Sequence, residues 1–277
     1  MTDATNLDGA VTLITGAGRG IGQGIAEVLS ERGAVIALSD LDADRAVVAA
    51  DAIKVNGGNA FPFGGDTTIQ ESMDGLAAAV VEEFGRIDIL VCNAGVIGAP
   101  GYQDRVDHTE EDWDATFGVN VKGFVHTANA VAPHMQERNA GRVINIASHG
   151  GRKPRGAKAV LGNVQAPYSV SKAAVIQWTH LLAIELAPNN ITVNAVCPGT
   201  LWTPMWEAIA ENRKTADPEL AEFSGREVFE QSIRDRMPMG REQTPRDIGK
   251  AVAFLASDDA SEITGQALNV NGGAVMN

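Results

Sequence analysis

Tyr168 and Lys172 stand four residues apart where an apolar-periodic stretch begins, Tyr168-Ser169-Val170-Ser171-Lys172. A helix would project both from one face. A tyrosine hydroxyl with an ordinary pKa of about 10 is a poor base near neutrality, but a neighbouring ammonium favours its phenolate. The pair therefore suits proton transfer to or from an alcohol or carbonyl oxygen. Ser148 ends an apolar run, Asn145-Ile146-Ala147-Ser148. In an open α/β sheet, ligands sit at the carboxyl ends of strands, so its hydroxyl is placed to hold that oxygen. Each residue also has a plainer use: Tyr and Lys at this spacing can simply pack, and a serine can cap a turn.

A second group of residues suits a phosphate. The run Thr15-Gly16-Ala17-Gly18-Arg19-Gly20-Ile21-Gly22 follows a short apolar stretch and leads into a helical pattern. Glycines at such a turn let the backbone approach a pyrophosphate closely, and the helix N-terminus favours an anion. Asp40 closes the next apolar run, about twenty residues beyond the glycines, where a carboxylate accepts hydrogen bonds from a ribose diol and repels a 2′-phosphate. That favours NAD over NADP, although Arg19 within the glycine run could attract the extra phosphate. The alternative for Asp40 is a solvated cap of the following helix. Asp66 is a candidate for the adenine edge or, equally, a cap near Thr67 and Thr68.

These residues need a frame, and the sequence supplies one. Short apolar runs at 11–15, 34–38, 59–63, 87–91, 142–147, 191–196 and 266–270 read as strands. They are nearly continuous rather than alternating, as in a parallel sheet covered on both faces. Helical patterns at 20–32, 43–55, 69–84, 110–138, 167–187 and 245–256 alternate with them. The reading is an α/β fold, a Rossmann-type doubly wound sheet of seven parallel strands flanked by helices, in a single domain over 1–277. Residues 200–241 break the rhythm and read as a helical flap. Its Leu201, Trp202, Met205, Trp206, Phe223 and Phe229 suit closure over a ligand, or plain packing.

The 277 residues carry 22 Lys and Arg against 35 Asp and Glu, a net charge of −13, and 44% are hydrophobic. The acidity opposes general nucleic-acid binding. No apolar run approaches the length of a membrane span, and the opening residues lack the order of a secretory signal, so neither membrane attachment nor secretion is expected. The two cysteines, Cys92 and Cys197, lie far apart in apolar runs, which suits a reducing cytoplasm. His108, His126, His134 and His180 have no metal-ligand spacing, and His149 beside Ser148 reads as structural, so no catalytic metal is expected. From Ala115 to Ile184 the balance reverses: Lys122, Arg138, Arg142, Arg152, Lys153, Arg155, Lys158 and Lys172 oppose Glu137 alone. Arg152, Lys153, Arg155 and Lys158 could steer an anionic substrate, or be a solvated basic loop.

Together these motifs resemble the short-chain dehydrogenase/reductase family over essentially the whole chain. The glycine loop, Asn93-Ala94-Gly95, Ser148, Tyr168 with Lys172, and Pro198-Gly199 match its signatures in order and strand placement. By that resemblance Tyr168 is the general acid/base. Lys172 tunes it and holds the nicotinamide ribose, Ser148 positions the reacting oxygen, and Asn120 supports a water chain to Lys172. Thr200 would touch the nicotinamide carboxamide. Cys92 stands where the family usually has a further Asn, which should alter packing only. The twenty positions from Ser148 to Tyr168 exceed the usual spacing, so the segment around 152–165 should lie beside the substrate. The residues from 253 to 273 resemble the branch of sugar, polyol and diol dehydrogenases and 3-oxoacyl-thioester reductases. The leading expectation is an NAD-dependent dehydrogenase for a small secondary alcohol such as a sugar or polyol. Alternatives are reduction of a 3-oxo thioester or xenobiotic ketone and, in another class, a non-catalytic dinucleotide sensor. A homotetramer through the helices at 110–138 and 167–187 and the last strand is implied as well.

Overall fold

In the computed structural model, which describes residues 5–153 and 165–276, seven parallel strands form one sheet in the order β3-β2-β1-β4-β5-β6-β7. They are β1 (Val11–Thr15), β2 (Val35–Asp40), β3 (Asn59–Gly64), β4 (Ile89–Cys92), β5 (Gly141–Ile146), β6 (Ile191–Pro198) and β7 (Ala267–Val270). Helices α1 (Gly20–Glu31), α2 (Ala43–Val55), α3 (Gln70–Phe84), α4 (Glu110–Phe117), α5 (Gly123–Arg138), α6 (Ala166–Leu186) and α9 (Pro245–Ala256) cover it. The fold is the doubly wound Rossmann-type sheet expected. Every residue of β1, β4 and β6 is buried, which is why these strands are rich in apolar residues on both faces instead of alternating.

The sheet separates two apolar cores. One joins Ile14, Ile36 and Ile144 to α1 and α9. The other joins Leu13, Leu90 and Val143 to Met73 of α3, Phe124 of α5 and Leu182 of α6. Chain order reverses between β1 and β4, so the loops leaving those strands diverge and open a crevice. Asn93 ties the two sides together. Its amide donates to the carbonyls of Thr15 (3.0 Å) and Gly16 (2.9 Å), while its own N–H donates to Thr15 Oγ1 (3.1 Å).

Two departures from the expected elements bear on the site. The helix foreseen over 110–138 is interrupted by a π-helical turn, Gly118–Lys122, that contains Asn120. The Asn120 side chain is the physical reason. It accepts from Val96 N (2.8 Å) and donates to Val96 O (2.9 Å), so the turn is pinned to the chain leaving β4. π-turns of this kind concentrate at functional sites. The flap comprises α7 (Pro204–Ala216) and α8 (Gly225–Arg236), capped by Thr203 and Ser224. It has its own small core, with Trp206, Ile209, Phe229 and Ile233 packed on Ile97 and Tyr102. No helix among the described residues is long and apolar enough to cross a membrane.

Candidate active site

A cavity of about 680 Å³ lies at the carboxyl ends of the strands, between the glycine loop and the flap. Gly16, Arg19, Gly20 and Ile21 line it, together with Asp40, Asp66, Asn93, Ala94, Gly95, Pro198 and Gly199. Gly16 has φ +62°, and a Cβ there would sit 2.7 Å from Ala94 Cα, so only glycine serves. Gly18 and Gly22 are behind this surface. A Cβ on Gly22 would meet the Gly16 carbonyl at 2.4 Å, and Gly18 N–H donates to Asp40 Oδ2 at 3.0 Å. Asp40 does not cap α2. That role falls to Asp42, which accepts from Arg45 N, while Asp40 accepts from Gly18 and Asp42 N–H groups and faces the cavity. Asp66 accepts from the N–H and hydroxyl of Thr68 in a local turn; the N-cap of α3 is Ile69. With the α1 N-terminus, this cradle and its carboxylate fit a dinucleotide.

Thr200 is buried, and it is Thr203 that lines the cavity. The reason is the bridge from Leu201 to Gln243, which holds the chain down beyond β6. The hydroxyl of Thr203 also caps α7.

Ser148, Tyr168 and Lys172 line the same cavity, with Asn120 directly behind. Ser148 Oγ accepts from Gly150 N (3.1 Å), capping the short 3-10 turn His149–Gly151, so the plainer role and exposure to the cavity coexist. Lys172 reaches under the chain leaving β5, and its Nζ donates to Ile146 O at 2.8 Å. The ammonium also lies over the Phe124 ring, 5.1 Å from its centroid, and 5.8 Å from that of Tyr168. Burial lowers the Lys172 pKa to about 8, because an ammonium loses its hydration there. Asn120 Nδ2 donates to Ser171 Oγ (3.0 Å), which in turn donates to Tyr168 O (2.8 Å). The π-turn thus steadies the turn of α6 that carries Tyr168 and Lys172. Burial pushes the thiol of Cys92 up to about 12, so this residue is packing material at the end of β4.

The substrate end is walled by Leu201, Met205, Trp206 and Ile209 from the flap and by Ile97, Pro100, Tyr102 and Gln103 after β4. The last four carry no motif and escaped the sequence reading; the only signal was the apolar, glycine-rich run 95–101 after Asn93. Phe223 is 47% exposed and away from the cavity. Trp202 and Phe229 meet edge to face, and both lie against the Arg226 guanidinium, within the flap. The expected basic character disperses. Arg152 donates to Ala267 O on β7 and lies beside Cys197, Arg138 pairs with Asp88 and Arg142 with Asp258 at the amino ends of the strands, and Lys153 is exposed. Arg155 and Lys158 fall outside the described residues. His149 does not line the cavity, and the described residues contain no His, Cys, Asp and Glu cluster able to hold a metal.

Comparison with known proteins agrees with this geometry. A family model described as enoyl-(acyl carrier protein) reductase matches residues 16–275. The chain is 38% identical to the 3-oxoacyl-(acyl-carrier-protein) reductase FabG of Vibrio cholerae, covering 98% of this chain and 99% of that one. It is 37% identical to the BbsD subunit of a hydroxy(phenyl)methylsuccinyl-CoA dehydrogenase from Thauera aromatica, covering 95% of each. A crystal structure of an actinorhodin polyketide ketoreductase with NADPH superposes with a TM-score of 0.85 at 34% identity, covering 96% of this chain and 97% of the other. The chain belongs to the short-chain dehydrogenase/reductase family, oxidoreductases that bind a nicotinamide dinucleotide.

The buried ammonium has a measurable cost. Lys172 releases its proton near pH 8 when folded, against an ordinary 10.5, which disfavours the folded state at neutrality by about 3 kcal/mol before its hydrogen bond is counted. Lys172→Met should therefore stabilise the dinucleotide-free protein at pH 7 by about 1–3 kcal/mol while destroying activity. The gap between variant and wild type should close as pH rises from about 8 to about 10.5, since deprotonation relieves the wild type alone. Urea unfolding of both proteins across that range checks it.

Proposed function

We propose that this protein is an NAD-dependent oxidoreductase that interconverts a secondary alcohol and a ketone by hydride transfer. The observation that carries the reading is the convergence of Ser148, Tyr168 and Lys172 on one cavity with the glycine loop and Asp40. The bound dinucleotide supplies the hydride acceptor or donor at its nicotinamide. Ser148 holds the substrate oxygen, and Tyr168 Oη takes the alcohol proton in oxidation or returns it in reduction. The Lys172 ammonium stabilises the phenolate and donates to the ribose, and Asn120 fixes the helix turn beneath both. The intact set is what a non-catalytic sensor would lack.

NAD rather than NADP is supported by Asp40. Its carboxylate faces the cavity and is itself held by Gly18 N–H, so a 2′-phosphate would meet a fixed negative charge. Arg19 is exposed and lines the same cavity, as does Arg45, which is engaged with Asp42. The substrate end favours an apolar body over a sugar or polyol. Ile97, Met205 and Ile209 present carbon surface where a polyhydroxylated ligand would need partners for its hydroxyls. Reduction of a 3-oxo thioester is therefore the second reading, supported by the likeness to FabG. Assembly as a homotetramer through α6 is supported by Val170, Leu181 and Ile184, which this helix leaves exposed.

Tyr168→Phe should lower turnover at least about a thousandfold while leaving NAD affinity within roughly threefold, measured by NADH fluorescence titration beside kinetics; retained turnover sinks the acid/base assignment. Asp40→Ala should move the ratio of kcat/KM values for NAD and NADP toward NADP by roughly tenfold or more. An unchanged ratio would show that the carboxylate does not meet the ribose. Light scattering behind a sizing column should give four times the chain mass, and a monomer peak would refute the assembly.

A further inference from the structure

The wall of the cavity carries a second phenol that the reaction scheme leaves unused. Tyr102 opens the short 3-10 turn Tyr102–Asp104 after β4 and is only 6% exposed. It lines the cavity, and Tyr168 packs against the cluster to which it belongs. Its hydroxyl is buried without a hydrogen-bond partner among the described residues. Buried polar groups in native proteins are nearly always paired, so an orphaned donor on a residue that lines the cavity points to a partner that arrives with the ligand.

The backbone that carries the ring is held in place. The Tyr102 carbonyl accepts from Asn212 Nδ2 of α7 (3.1 Å) and from Arg105 N (3.2 Å), and Tyr102 N donates to Ala99 O (3.2 Å). Ala99 N in turn donates to Asp112 Oδ1 (2.8 Å). Asp112 is wholly buried on α4, and its carboxylate also takes Arg105 Nη2 (2.6 Å) and Thr109 N (2.8 Å). A Cβ on Gly98 would come 2.9 Å from Tyr102 Cβ, so the side chain lies close over a bare backbone. A buried charge, two helices and a glycine thus fix the backbone of a residue that lines the cavity, the preorganisation expected of a recognition group.

Resting on the dehydrogenase reading above, we propose that the Tyr102 hydroxyl is a specificity-determining donor. It hydrogen-bonds a second oxygen of the substrate, a carbonyl or hydroxyl oxygen on a carbon near the reacting one. Burial and the nearby Tyr168 push the Tyr102 pKa up, so it stays protonated and donates. Hydroxy and oxo compounds with a neighbouring carbonyl, such as 3-oxo esters and thioesters, satisfy both this donor and the apolar wall. Simple ketones with one oxygen satisfy only the wall.

The test is Tyr102→Phe assayed on matched ketones of equal carbon skeleton, with and without the second oxygen. The fall in kcat/KM should be roughly tenfold larger for the oxygen-bearing member, mostly through KM. The ligand-free variant should unfold at the same temperature as the wild type or above it, because an unpaired hydroxyl is removed. Equal losses on both members overturn the proposal, and so does a Tm lowered by several degrees, which would show the hydroxyl bonded within the free protein. Tyr168→Phe in the same assays separates the two claims. If it retains turnover, the underlying reading fails whatever Tyr102 does.

Discussion

The contact between Lys172 Nζ and the Ile146 carbonyl sets the terms for the rest of the site. It brings a helix-borne cation to the end of a central strand, out of water, where its field acts on few neighbours but acts strongly. Such a charge is unfavourable in the folded chain unless its surroundings justify it. Phe124 offers its ring face, Asn120 lies beside it, and Tyr168 sits one helical turn before it. The π-turn, the chain after β4 and the first turn of α6 are all bonded to one another around that ammonium.

The cofactor side is assembled differently. It depends on absent side chains and on backbone groups, with Gly16, Gly18 and Gly22 each occupying space where a methyl group would collide. Asn93 takes up the Thr15 and Gly16 carbonyls, so the loop keeps its shape. One end of the cavity is thus rigid through close approach, and the other through buried charge.

The sheet and its helices were legible because a parallel strand buried on both faces leaves an apolar run, and a phosphate loop leaves glycines. The gathering of Ser148, Tyr168, Lys172 and Asp40 around one cavity was legible from residue types at fixed spacings. Three features were not. The break in the long helix depends on Asn120 bonding to Val96, a pairing across 24 residues that periodicity does not encode. Thr203 lines the cavity while Thr200 is buried, beside a bridge between Leu201 and Gln243 that is again remote in sequence. Arg152, counted among bases that could face a ligand, is drawn instead to the Ala267 carbonyl. In each case a tertiary partner decided what local pattern left open.

The flap core is a separate cluster from the two that flank the sheet. Packing units of this kind open with free energies of their own, below that of the whole fold. Trp206 and Phe229 can therefore part from Ile97 and Tyr102 without unzipping a strand, so one end of the cavity can open while the glycine loop at the other keeps its shape. Amides of α7 and α8 would exchange with solvent hydrogen through such partial openings, while those of β1, β4 and β6 would wait for the molecule to unfold.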